Sequence, residues 1–337
     1  MLQPVNGMAY YCQDNSSATQ FKMKKLIAPT RLILVLLLLL PTFAQAQEAN
    51  RKIKIFLIGN SFSQDASAYL PELAKEAGVE LIIGRAELGG CSLQRHWEII
   101  EAFEANPDDP KGKSYRGKSL KELLSADTWD YITIQQNSKN STNVDTYRPY
   151  AEKIVDYIHA LQPQAEVLIH QTWAYRADSR DWGFIKGNEE TKSQKEMYEK
   201  SRGAYHTIAN ELGLRILPVG DAFWETSQHP KFKFQPDATF NYETPETGKV
   251  PNEKYSLHVG VRWGGDDKTR YIFDSHHAST AGRFLGSLVW SGVMFGESPD
   301  KVKFVPDGVS PEFANHLKKT ATKVVKANAK RKVAMVE

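Results

Sequence analysis

One serine, one aspartate and one histidine in this chain stand where they could act together. Ser61 lies in Gly59-Asn60-Ser61-Phe62-Ser63, directly after an apolar run, and Asp274 and His277 lie three residues apart near the far end. A serine hydroxyl is a weak nucleophile near neutral pH and needs an imidazole to take its proton. The imidazole needs a carboxylate to fix its tautomer and stabilise the charge it gains. Asp274-Ser275-His276-His277 offers such a pair on a loop before a helix, with His277 as the base and His276 as the competing candidate. A tetrahedral intermediate also needs donors for its oxyanion. The backbone N–H groups of Ser61 and Gly90 and the side-chain amide of Asn137 are the candidates. Each has a bland alternative: a helix cap for Ser61, an ordinary tight turn for Gly90, and a turn residue bonding its own backbone for Asn137.

These residues need a scaffold that brings distant segments to one edge. Ile53 to Ile58, Glu80 to Ala86, Trp129 to Gln135, Glu166 to Gln171 and Arg215 to Asp221 read as five short apolar strands. Helical spacing separates them: Leu70, Leu73, Ala74 and Ala77 share one face, Trp97, Ile100 and Phe103 another, and Ile154, Ile158 and Leu161 a third. A long polar helix is expected from Glu189 to Leu212. Strands alternating with helices predict an α/β fold with a parallel sheet covered on both faces. Right-handed crossovers then put the turns at Ser61, Gly90, Asn137 and Trp173 on one rim. From about residue 226 to 273 the pattern breaks, and Tyr255–Trp263 and Thr269–Phe273 flank Gly264-Gly265-Asp266-Asp267 as an inserted β-hairpin. Ser279 is an N-cap candidate for the next helix, and a last helix from Pro311 should pack Phe313, Leu317, Val324 and Val325 on the sheet.

The N-terminus reads as an address. Lys24, Lys25 and Arg31 precede the nine apolar residues Leu32–Leu40, and Ala44-Gln45-Ala46 follows. That is a signal peptide with cleavage after Ala46, and its apolar run is shorter than a membrane span. Residues 1–46 are therefore assigned to a leader, and Met23 offers an alternative start that would make 1–22 extraneous. A retained membrane anchor is the rival reading. The net charge of +3 comes from this leader, since residues 47–337 hold 39 basic and 39 acidic residues. A neutral mature chain has no electrostatic case for nucleic acid, and none for stable membrane insertion once the leader is gone. Cys91 is its single cysteine, so an internal disulfide is excluded and the core must hold the fold. Asp274, His276, His277 and His258 are ligand types, but no second pair stands at supporting spacing; no metal and no other cofactor is expected.

Gly59-Asn60-Ser61-Phe62-Ser63, Gly90-Cys91-Ser92, Gln135-Gln136-Asn137-Ser138 and Asp274-Ser275-His276-His277 fall in the order of the four blocks of SGNH (GDSL-type) hydrolases. The chain resembles that superfamily over about residues 52–296. It looks closest to exported members with a G-N-S-F-S block and a T-W-A-Y block, here Thr172 to Tyr175. The resemblance implies a flavodoxin-like α/β/α sandwich with a five-stranded parallel sheet over 47–337. It also implies Ser61 as nucleophile, Asp274 and His277 as acid and base, and Gly90 and Asn137 as oxyanion donors. Two positions depart from the usual pattern. Asn60 replaces an aspartate, and Gln135 and Ser138 flank Asn137 where glycine and aspartate are usual, which makes Gln136 an alternative donor. Family habit and the leader then suggest a small-acyl, most simply acetyl, esterase acting on carbohydrate. A lipase or thioesterase, or a non-catalytic sugar-binding protein, is the alternative. Among Trp97, Trp173, Trp182 and Trp263, Trp173 is the expected sugar platform because its turn falls on the active rim.

Overall fold

Five strands form one parallel sheet: β1 (Arg51–Gly59), β2 (Val79–Glu87), β3 (Tyr131–Ile134), β4 (Glu166–His170) and, after a small hairpin of β5 (Phe184–Lys186) with β6 (Glu189–Glu190), β7 (Arg215–Leu217). Their order across the sheet is β2-β1-β3-β4-β7, every neighbouring pair parallel. That is the flavodoxin-like doubly wound order, whose chain direction reverses between β1 and β3 and leaves a crevice at their carboxyl ends. The computed structural model describes residues 51–187 and 189–336, with side chains to Ala329. The leader assigned to residues 1–46 lies outside the described residues.

Alternation along β1 explains the two cores. Ile53, Ile55 and Leu57 point to one face, Phe56 and Ile58 to the other, and all five are at most 3% exposed. A strand buried on both sides needs apolar residues at every position, which is why it reads as a continuous run. The first face is covered by α1 (Ser61–Ala66), α2 (Leu70–Glu76), α7 (Val219–Ser227), α8 (Thr280–Met294) and α9 (Pro311–Val336). The second is covered by α3 (Leu93–Ala105), the short α4 (Leu120–Leu124), α5 (Tyr150–Leu161) and α6 (Gln194–Glu211). Each fully buried aliphatic or aromatic side chain contributes roughly 1.5–3 kcal/mol. Phe313, Leu317 and Val324 do join the core from α9, with Val325 packed against it.

Three local expectations need correction. The helix expected to carry Leu70, Leu73, Ala74 and Ala77 ends at Glu76 with Ala77 as its cap, and a separate helix precedes it, α1 starting on Ser61 itself and stopping at Ala66. The fifth strand ends at Leu217, where Pro218 caps α7 and Asp221 becomes helical. The long polar helix starts at Gln194 behind its Ser193 cap, since Glu189 and Glu190 pair with Phe184 and Lys186.

The inserted hairpin is present as β8 (His258–Gly264) and β9 (Arg270–Ala278), antiparallel and separate from the main sheet. Ser279 caps α8, its hydroxyl accepting from Gly282 N–H at 3.2 Å.

Candidate active site

Ser61 is delivered by the turn between β1 and α1. Gly59 is required there by close approach: a Cβ would meet Ser63 Oγ at 2.5 Å and Gln135 Oε1 at 3.2 Å. Asn60 caps α1, its side-chain oxygen accepting from Phe62 N–H at 3.0 Å. The same oxygen accepts from Gln135 Nε2 at 2.7 Å, and Asn60 Nδ2 donates to the Cys91 carbonyl at 3.0 Å. Asn60 therefore ties the Ser61 turn to the turn after β2 and to the end of β3, while staying 1% exposed. Gln135 Nε2 donates to Asn60, so its oxygen is the acceptor for His170 Nδ1–H at 2.8 Å. This settles the ring's tautomer and leaves the buried Nε2 unprotonated and without a partner among the described residues.

Asp274 and His277 arrive on the hairpin. They were expected on a loop, but β9 continues to Ala278 because Phe273 and Asp274 pair with Val261 and Gly260 of β8. His277 Nδ1 donates to Asp274 Oδ2 at 2.9 Å, and its Nε2 lies 2.9 Å from Ser61 Oγ, placed to accept the hydroxyl proton. The spacing of three folds the carboxylate back, so that Asp274 Oδ1 also accepts the backbone N–H of His277 at 3.0 Å. His276 does not face the serine. Its Nδ1 stands 3.3 Å from Asp274 Oδ1, so one carboxylate serves both rings.

The charges agree with these roles. Burial pushes the Asp274 carboxyl up, but the hydrogen bonds from the side chain and backbone of His277 outweigh it and hold the group well below the usual carboxylate range. The bond to Asp274 raises His277 above its ordinary value against the opposing effect of burial. Burial lowers His276, with the Asp274 charge acting the other way. A base paired with an ionised carboxylate and set on a serine is the arrangement for nucleophilic acyl transfer.

The oxyanion candidates separate. The backbone N–H groups of Ser61 and Gly90 donate to no group among the described residues. Gly90 sits at φ +61°, a conformation that suits glycine, and is exposed. Asn137 Nδ2 donates to the Gly90 carbonyl at 3.0 Å, which holds its amide against that turn with the second hydrogen unused. Gln136 is not an alternative donor. It is fully buried, its oxygen accepts from the N–H groups of Leu93 and Asn137, and its Nε2 donates to the Thr146 carbonyl.

Trp173 is not a sugar platform. Its segment does lie at the rim, but the side chain turns inward to 1% exposure, stacked on Phe62 at 4.4 Å and Phe223 at 4.5 Å. Its run continues into Arg176, which the sequence reading passed over. Arg176 N–H donates to the Ser275 carbonyl at 2.8 Å. Its guanidinium is 1% exposed, bonds Asp178 through two nitrogens and Glu253 through a third, and lies over the Phe234 and Phe273 rings. The charge-assisted bonds fix the guanidinium between Asp178 and Glu253, while β9 is met by the Arg176 N–H at Ser275 and by the guanidinium over Phe273. Asp65 was also passed over. The signal was its place one helical turn after Ser61.

Asp274, His276 and His277 also form the one group among the described residues with three metal-ligand types close together. Both ring nitrogens of His277 are already paired within the site, Nδ1 with Asp274 and Nε2 with Ser61.

Among solved structures, a DUF4886 family protein from Bacteroides uniformis ATCC 8492 is similar over 82% of this chain and 95% of its own, at 24% identity and a TM-score of 0.59. That likeness supports the fold. A proposed SGNH hydrolase from Slackia heliotrinireducens matches 72% of this chain and 100% of its own at 18% identity, with a TM-score of 0.43. Phospholipase A1 from Streptomyces albidoflavus NA297 matches 72% and 99% at 14% identity, with a TM-score of 0.35. These two are too distant to bear on the chemistry. No curated protein sequence matches the chain. Residues 54–229, which hold Ser61, Gly90 and Asn137, match the domain of unknown function DUF4886, and the chain belongs to that family.

Proposed function

We propose that this protein is an exported serine esterase of SGNH type that removes a small acyl group, most simply acetyl, from a carbohydrate. The observation carrying the hydrolase reading is the unbroken line of hydrogen bonds from Ser61 through His277 to Asp274, 2.9 Å at each step. As Ser61 Oγ attacks the ester carbonyl carbon, its proton passes to His277 Nε2. The oxyanion is received by the N–H groups of Ser61 and Gly90 and by the Asn137 amide. The imidazolium returns its proton to the leaving alkoxide as the carbon–oxygen bond breaks. A water, deprotonated by the same ring, then hydrolyses the acyl-serine and releases the free acid.

The small acyl group and polar leaving group rest on the surface. The mouth carries Gly89, Gly90, Asn137, His276 and Arg262, and among the described residues Val250 is the only exposed large hydrophobic side chain. A lipase needs a broad apolar landing surface, and a purely sugar-binding protein has no use for an aligned triad. Export rests on the leader. Among the described residues no helix is long and apolar enough to cross a membrane.

The test is release of acetate from a panel of acetylated glycans, beside hydrolysis of nitrophenyl acetate and octanoate. Acetate release that vanishes in Ser61→Ala supports the reading. A preference for octanoate points to a lipase, and equal rates in Ser61→Ala and wild type would overturn the serine mechanism.

A further inference from the structure

We propose that Asp65 is a positioning residue for the Ser61–His277 pair, bolting the helix that carries the nucleophile to the strand that carries the base. The proposal rests on the serine hydrolase reading of the site. Asp65 stands four residues after Ser61 on α1 and is 5% exposed. Its Oδ2 accepts the backbone N–H of Ala278, the residue after His277, at 2.9 Å. Its Oδ1 accepts Arg283 Nε at 2.8 Å, from the first turn of α8. One carboxylate thus joins three elements, and two of them carry the reacting side chains.

The main-chain topology leaves this task open. β8 and β9 pair only with each other, so no sheet hydrogen bond fixes the distance between β1 and the hairpin. Outside the sheet, one main-chain bond from Arg176 N–H to the Ser275 carbonyl reaches β9, and side chains do the rest of holding Ser61 and His277 at 2.9 Å; misplacement by about 1 Å is enough to lower a rate about a hundredfold. From outside the hairpin, among the described residues, the side chains of Asp65 and Trp173 reach the backbone beside His277, through Ala278 N–H and the His276 carbonyl respectively.

Asp65 also acts by charge. His277 is faced by Asp274 and His276 on its own strand, by Arg262 from β8, and by Ser61 and Asp65 from α1. After Asp274, the Asp65 carboxylate favours the protonated ring that forms when Ser61 is deprotonated. Arg283, its ion-pair partner among the described residues, is half exposed, so solvent screens the pair and the carboxylate's charge is only partly offset. Burial raises the Asp65 carboxyl, and the Ala278 N–H and Arg283 oppose that rise.

The experiment titrates His277 by NMR in histidine-labelled wild type, Asp65→Asn, Asp65→Ala and Arg283→Gln, and measures turnover of a small acyl ester in each. Asp65→Asn keeps one acceptor for Ala278 and loses the charge. It should hold kcat within about tenfold of wild type while His277 titrates about half a unit lower or more. Asp65→Ala loses both, so kcat should fall about a hundredfold at unchanged KM, with the acid limb of the rate profile moved the same way. Arg283→Gln leaves the carboxylate uncompensated and should move His277 upward, which decides the matter should Asp65→Ala fail to fold. An unmoved His277 in Asp65→Asn and Arg283→Gln, or full turnover in Asp65→Ala, overturns the proposal. Because the titration needs no turnover, a wild type inactive on every ester would count against the esterase reading alone.

Discussion

The indole N–H of Trp173 donates to the backbone carbonyl of His276 at 2.8 Å, from a ring that water barely reaches. Trp173 thereby props the residue beside His277, while its face supports Phe62, the residue beside Ser61. An aromatic expected to touch substrate instead holds the two halves of the site at their working separation.

Replacing it should show up as stability. Trp173→Ala should destabilise the fold by about 3–5 kcal/mol, the range for truncating a buried aromatic. Trp173→Phe keeps the stack but leaves the His276 carbonyl unpaired, and should lower kcat without raising KM for an acetylated sugar. Denaturant titration and steady-state kinetics on both variants check this; a rise in KM alone would return Trp173 to the substrate.

The triad makes the steepest prediction. Ser61→Ala should reduce kcat on nitrophenyl acetate by about 10⁴-fold or more, and Asp274→Asn by about 10⁴-fold. Asp274→Asn puts an amide where two backbone N–H groups and two imidazoles now meet a carboxylate. His276→Gln keeps the Ser61–His277–Asp274 line and should lose less than tenfold, which separates the two neighbouring histidines.

Asn137 and Gln136 should fail in different ways. Asn137→Ala should lower kcat by about a hundredfold with little change in melting temperature, as loss of one oxyanion donor does. Gln136→Ala strands the buried N–H groups of Leu93 and Asn137 and should lower stability by about 1–3 kcal/mol. Paired kinetic and thermal measurements distinguish them, and the reverse pattern would exchange their roles.

Two pH effects follow from the histidines. His277 must be neutral to accept the Ser61 proton, and its bond to Asp274 raises its pKa above 6.5, so the acid limb of kcat/KM should lie above pH 6.5. Stability should fall towards acid as well, through other histidines. Burial lowers His96, His170 and His258 to about 4, about 3 and about 3. Their unfolded counterparts bind a proton near 6.5, so the contribution is complete above that value and lost as pH falls towards the folded values. At pH 5 each should subtract about 2 kcal/mol. His277, raised, is charged in both states at that pH and adds no slope, while Asp65 and Glu87, also raised, oppose the loss. Melting temperature against pH between 7 and 5 tests the sign.

The sheet was legible because β1 and its partners are buried on both faces, and continuous apolar runs such as Ile53–Ile58 admit few other readings. The juxtaposition of Ser61, Asp274 and His277 was legible because they sit in short segments of recognisable type. What escaped was set by tertiary contacts. Trp173 looks the same in sequence whether its ring turns out or in, and packing between Phe62 and Phe223 decides it. Gln136 and Asn137 carry the same amide, and only their neighbours divide the work. Arg176 and Asp65 read as ordinary charged residues until the carboxylates and backbone groups they meet, scattered over many residues, are placed around them.

The reacting groups reside on two bodies with no shared ladder: Ser61 on the sheet's own rim, Asp274 and His277 on a ribbon reached through the irregular segment between α7 and β8. Catalytic competence is thus a report on docking as much as on folding. A small fraction of molecules with the ribbon lifted would keep every helix and strand of the sandwich and turn over nothing. On heating, turnover should therefore vanish several degrees before the circular dichroism of the sandwich collapses.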